Sequence, residues 1–123
     1  MTARKRIPAR ARKHQQHKPG QMNKTEAAYA EHLKRLQLAG EVHHWWFEAV
    51  KLRVAYDECW IVFDFAVQLP DGMLELHDVK GGPTEGDALI KMKTIATLYP
   101  FRVCEVRLRK GHWVYTEIEG TST

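Results

Sequence analysis

The sequence predicts a mixed α/β fold, a single sheet with a helix on each face, in the order α-β-β-β-α-β-(β). Three observations carry this. Apolar residues recur at spacings of three and four around residues 29–36 and again around 88–99, the periodicity of a helix with one buried stripe. Alternating or continuous apolar runs bounded by glycine and proline fill most of the remainder, as strands require. Pro70-Asp71-Gly72 is a tight turn that folds two strands into an antiparallel hairpin, whereas the second helix lies between strands and supplies a crossover.

The elements follow in order. Residues 1–20 hold Arg4, Lys5, Arg6, Arg10, Arg12, Lys13 and Lys18 and no acid, so they read as a flexible basic arm suited to a polyanion. The remaining chain, 21–123, carries twelve lysines and arginines against fifteen acids and forms the folded domain. A helix is expected from Lys24 to Ala39, with Tyr29, Ala30, Leu33 and Leu36 inward, Glu26 on the same stripe and Gly40 at its end. Residues 43–56 read as one strand, Asp57-Glu58 as a turn, and "CWIVFDFAVQL" (59–69) as a central strand covered on both sides. A strand over 73–80 follows the Pro70 turn. Gly81-Gly82-Pro83 breaks the chain, and a helix runs from Gly86 to Leu98 until Pro100 stops it. Residues 101–118 alternate on both sides of Lys110-Gly111 as a strand and its return.

Composition narrows the function classes. A 123-residue chain with 44% apolar residues can bury one core. It has no apolar run of membrane-spanning length, and its basic start lacks the apolar stretch of a secretory signal. Cys59 and Cys104 lie outside any CxxC spacing, which argues against a thiolate zinc site and for two core thiols.

The chemistry concentrates in "MLELHDVKGG" (73–82). Alternation puts Leu74, Leu76, Asp78 and Lys80 in one row, with Glu75, His77 and Val79 facing the other way. A row that starts in the core therefore ends in a carboxylate and an ammonium. Asp64 lies six residues before Pro70 and Asp78 six after Gly72, so the hairpin sets the two acids across from each other. Like charges opposed in a sheet destabilise it and ask for a cation. Magnesium suits two carboxylates and retains waters; such an ion polarises a phosphodiester and supplies hydroxide, with Lys80 beside it to orient the nucleophile or stabilise developing charge.

Asp64, then Asp78-x-Lys80 leading into Gly81, with a helical glutamate upstream, resembles the PD-(D/E)XK nuclease arrangement. "NKTEAAYAEHLKRLQLAGEV", "DF", "PDG", "DVKGG" and a lysine-bearing helix ending in "YP" are similar to small phage and prophage nuclease-like proteins compared with phage endonuclease I, a Holliday-junction resolvase. The resemblance spans about residues 22–108. Phe63 stands where that superfamily usually has proline, and Asp78 where glutamate is common. The resemblance implies a restriction-endonuclease-like core, Mg2+ or Mn2+ as cofactor, DNA as partner and hydrolysis of its phosphodiester bonds. It implies Asp64 and Asp78 as metal ligands, the Val79 carbonyl as a further ligand, Lys80 as catalytic lysine and Glu26 as auxiliary acid. It also implies action in the cytoplasm of a bacterial host and, because a junction is cut symmetrically, a homodimer.

Plainer roles stand beside these. With Asn23 as N-cap, Glu26 occupies the capping-box position. Asp64 alone reads as a paired buried acid, and Asp78 with Lys80 as a structural ion pair. Glu48 is a further acid for the site or a surface residue. His43 and His44 point opposite ways and cannot share an ion. Lys91 and Lys93 suit a DNA phosphate or a solvated helix face, and Arg102, Arg107, Arg109 and Lys110 make the last strands basic. The competing function is a non-catalytic nucleic-acid-binding protein on the same fold, and a third option is a nuclease that acts on RNA.

Overall fold

A computed structural model describes residues 20–120. The architecture is mixed α/β: two helices, a five-stranded mixed sheet and a separate two-stranded hairpin. In chain order these are α1 (Lys24–Leu38), β1 (His44–Phe47), β2 (Lys51–Ala55), β3 (Cys59–Val62), β4 (Phe65–Gln68), β5 (Leu74–Lys80), α2 (Gly86–Leu98), β6 (Arg102–Arg109) and β7 (His112–Ile118). The sheet runs β1-β4-β5-β6-β7, with β5 and β6 parallel and the other pairs antiparallel.

Local chemistry explains the helix ends. Asn23 Oδ1 accepts from the Glu26 N–H at 2.8 Å while Glu26 Oε1 accepts from the Asn23 N–H at 2.9 Å, a closed capping box. At the other end Gly40 takes φ +81, which lets Gly40 N–H bond Gln37 O at 3.1 Å and Glu41 N–H bond Leu36 O at 2.9 Å. The expected stripe is inward: Tyr29, Ala30 and Leu33 are buried.

The order α-β-β-β-α-β-(β) needs correction to α-β-β-β-β-β-α-β-β. Residues 43–56 break after Phe47, and residues 59–69 break after Val62. The breaks face each other. Three residues (48–50) separate β1 from β2, but only two (63 and 64) separate β3 from β4, a bulge-like mismatch. Glu48 turns the chain at φ +51 and donates its N–H to Asp64 O at 2.9 Å; Phe63 N–H bonds Val50 O at 3.2 Å. One long hairpin is thus kinked in the middle, and its outer half, β2–β3, leaves the sheet. Both halves keep strand alternation, so periodicity gave no sign of the kink.

The sheet buries a core on each face. Phe65, Val67 and Val106 pack with Tyr29, Ala30 and Leu33 of α1. Ala66, Leu76 and Val103 pack on the opposite face with Met92 and Ile95 of α2. Side chains alternate across β4, so its neighbours Phe65 and Ala66 serve different cores. The outer hairpin closes over α2 through Val50, Leu52, Val54 and Ile61, and Tyr99 O–H bonds Arg53 O at 2.9 Å. No helix among the described residues is long and apolar enough to cross a membrane.

Candidate active site

The Pro70 turn sets the register of the site. Gly72, at φ +93, donates its N–H to Leu69 O at 2.9 Å, and Asp71 Oδ1 accepts from the Met73 N–H at 2.9 Å. The ladder that follows pairs Gln68 with Leu74 and ends at Phe65 with His77, so the next step sets Asp64 against Asp78. The expected opposition holds, with one correction: Asp64 sits in the bend just before β4 and not within a strand. Because β4 starts only at Phe65, the Val79 N–H has no ladder partner there, and Asp64 Oδ2 accepts it at 2.8 Å. In an extended strand the carbonyl of a hydrogen-bonding residue leaves on the same side as its N–H, so the Val79 carbonyl also faces this gap.

Charge accumulates at that point. Asp78 Oδ2 lies 3.0 Å from Lys80 Nζ. The contact is off the hydrogen-bonding line, and this buried oxygen is left with no hydrogen-bond partner. The pair is held by electrostatic attraction alone, and a lone pair on Oδ2 stays open. Glu26 is buried, and its carboxyl comes within hydrogen-bonding reach of Asp64. The Asp64 carboxyl is held far above the ordinary carboxylate range, first by burial and then by the neighbouring Asp78 and Glu26 charges, against the opposing pull of the Val79 N–H. Glu26 thus closes the capping box and belongs to the acid cluster at once.

A fourth acid joins from β6. Parallel register sets Glu105 beside Asp78 and Arg107 beside Lys80. Glu105 is buried; its Oε1 takes Arg107 Nε at 3.2 Å, and its Oε2 accepts from the Thr84 hydroxyl. Arg107 also donates to Thr84 and to the Gly82 carbonyl, tying down the loop after β5. Asp78 and Glu105 thus each pair with the cation two residues on, Lys80 and Arg107. Sequence reading missed Glu105: Glu105-x-Arg107 repeats the acid-x-base pattern of Asp78-x-Lys80, but no turn links β5 to β6, so nothing in the chain announced their register. An open cleft of about 450 Å3 borders the cluster, with Lys80, Arg107 and Arg109 among its walls and Gly81 and Gly82 between them.

The remaining candidates fall elsewhere. Lys91 Nζ donates to Trp60 O at 3.4 Å and so joins α2 to the outer hairpin, whereas Lys93 is exposed. Arg102 faces away from the cleft, on Glu75 at 3.2 Å. His43 and His44 are exposed, and Glu48 Oε1 accepts the Gly20 N–H at 2.8 Å. Arg4, Lys5, Arg6, Arg10, Arg12 and Lys13 lie outside the described residues.

The acid cluster offers oxygen donors alone, one of them buried with an unused lone pair, the kind that Mg2+ or Mn2+ takes with waters filling the rest. The Glu26, Asp64 and Asp78 carboxylates do not all come within 4.8 Å of one another, so Glu26 would join through a water. Asp64 and Asp78 would hold the ion, with Glu26 and the Val79 carbonyl at its margin.

The opposite face of β5 carries a second polar group that sequence reading left unassigned. His77 Nδ1 lies 2.7 Å from Tyr29 Oη, and its Nε2 lies 2.9 Å from Glu75 Oε1. Tyr29 O–H donates to Tyr115 Oη at 3.0 Å. Cys104, the register partner of His77, completes a buried Glu75–His77–Cys104 group. The hydrogen bond from His77 lowers the Glu75 carboxyl below its usual range, whereas burial pushes the Cys104 thiol up to about 11. Compared with known proteins, the chain matches no family model, no curated protein and no solved structure.

Proposed function

We propose that this chain is a metal-dependent DNA endonuclease on a restriction-endonuclease-like fold of PD-(D/E)XK type. The observation that carries the reading is the proximity of Asp64 to both Asp78 and Glu26 at the end of β5, where a buried Asp78 oxygen lacks a hydrogen-bond partner and Lys80 lies 3.0 Å away. A bound Mg2+ or Mn2+ would polarise the scissile phosphate and lower the pKa of its water. Asp64 and Asp78 would hold that ion in place. Lys80 faces both Asp78 and the open cleft, so its ammonium orients the attacking water or stabilises the charge that grows on phosphorus oxygens. Arg107 and Arg109 give the cleft the sign a phosphodiester backbone needs, and the basic arm adds attraction that carries no sequence information. Branched DNA cut by a homodimer is the substrate class that the resemblance to junction resolvases suggests.

The test is a titration of Mg2+ and of Mn2+ against wild type and Lys80→Ala on plasmid, four-way-junction and RNA substrates. Metal-dependent cutting of DNA, lost in Lys80→Ala with binding retained, is the expected result. Tight binding without cutting in any metal would overturn the endonuclease and assign a non-catalytic nucleic-acid-binding protein. Cutting confined to RNA would reassign the substrate.

A further inference from the structure

We propose that Glu75, His77 and Cys104 form a second metal site, distinct from the acid cluster, that takes a zinc-class ion through one oxygen, one nitrogen and one sulfur donor. All three residues are buried, and one ligand atom from each lies within 4.8 Å of the others. The site is on the α1 face of the sheet; Asp78 and Lys80 point to the α2 face. It therefore stands independently of the nuclease reading.

His77 is held between two partners, with Nδ1 2.7 Å from Tyr29 Oη and Nε2 2.9 Å from Glu75 Oε1. Nε2 and Oε1 already face each other, so a metal would take the place of the proton they share, while Tyr29 Oη keeps its contact with Nδ1. Cys104 adds a thiol that makes no hydrogen bond among the described residues, and sulfur with nitrogen and oxygen is the donor set of zinc and not of magnesium.

The surroundings are those of a supported metal ligand. Tyr29 fixes the His77 ring through Nδ1, and Arg102 Nη1 holds the second Glu75 oxygen at 3.2 Å. A cavity of about 270 Å3, with His32 and Tyr115 in its wall, opens onto Glu75 and His77 and leaves room for a water as fourth ligand. On binding, the metal–sulfur bond replaces the S–H bond, and the thiol proton leaves to solvent. With Nε2 on the metal, the ring would carry its proton on Nδ1, facing Tyr29 Oη. Thiolate and carboxylate together balance a divalent charge. Absence of a CxxC spacing hides such a site, because Cys104 meets His77 only through the parallel register of β5 and β6.

The experiment uses the full chain, stripped with chelator and titrated with Co2+, then Zn2+ in competition. One equivalent of Co2+ should produce a near-ultraviolet thiolate-to-cobalt band that Zn2+ abolishes. Cys104→Ser should lose the band, while Cys59→Ser and Asp78→Asn should keep it, and Tyr29→Phe should weaken Zn2+ binding by roughly 10–100-fold. Should Cys104→Ser fail to fold, X-ray absorption of zinc-loaded wild type decides. One sulfur at about 2.3 Å beside nitrogen and oxygen donors supports the site. A shell without sulfur, a band that survives Cys104→Ser or disappears in Asp78→Asn, or no stoichiometric binding overturns it.

Discussion

Asp64→Asn should make the metal-free protein more stable, which is unusual for a buried polar residue that accepts a backbone hydrogen bond. Asp64 and Asp78 are successive to the β4–β5 ladder and oppose each other. Opposed side chains lie about 5 Å apart, and two unit charges at that separation repel by about 3 kcal/mol at an effective dielectric of 20. Asparagine keeps an oxygen for the Val79 N–H, now 2.8 Å from Asp64 Oδ2, at a loss of about 1 kcal/mol as the acceptor becomes neutral. The net gain is about 2 kcal/mol, or about 8 °C in Tm for a domain of this size. The gain depends on pH with a definite sign. The folded Asp64 carboxyl is held above its unfolded value, so it does not destabilise the fold in acid, and its cost grows as pH rises toward the folded value. Urea and thermal melts in chelator should therefore show the two proteins alike near pH 4 and separating toward pH 8. Mg2+ at a hundredfold excess over Kd should then stabilise wild type by about 2.7 kcal/mol and leave Asp64→Asn unmoved. A variant less stable than wild type at pH 8, a gap that closes as pH rises, or equal stabilisation of both proteins by Mg2+ would refute the clustered-acid argument.

Two further outcomes follow from the same charge arrangement. Arg107→Ala should cost about 3 kcal/mol in urea unfolding, because it strands the buried Glu105 carboxylate beside Asp78, and Glu105→Gln in the same chain should recover much of the loss. Removing residues 1–19, with their seven basic side chains, should lower the slope of log affinity for DNA against log salt by about 6 while leaving metal-dependent stabilisation of the domain unchanged.

Much of this geometry was legible in the chain because local rules dictate it. Both helices end where Asn23, Gly40 and Pro100 require. The opposition of Asp64 and Asp78 follows from counting outward from one turn, since a hairpin's register is decided by its loop. Two things were not legible. The kink at residues 48–50 depends on an unequal count in two strands that each look regular, so five strands stand where three were expected. The placement of Glu105 and Cys104 depends on a parallel pairing across the α2 crossover, where no short loop transmits register. Local contacts can be read from spacing; those made through the crossover required the folded chain.

The same alternation that made Asp78 and Lys80 conspicuous explains why His77 was not. Neighbours on β5 serve different faces, so His77 and Asp78, adjacent in the chain, belong to separate chemistries. Beside Lys80 the α2 face offers carboxylate oxygens as donors, whereas the α1 face brings Glu75, His77 and Cys104 together, with Glu75 and His77 lining an adjoining cavity. Hard and soft ions would therefore sort by donor type with no competition for ligands. β5 is also the strand whose backbone serves the acid site directly, through the Val79 N–H. A metal clamped between β5 and β6 on one face would stiffen the strand that holds Asp78 and Lys80 on the other. The α1-face cluster is thus placed to support the geometry of the acid site without touching what binds there.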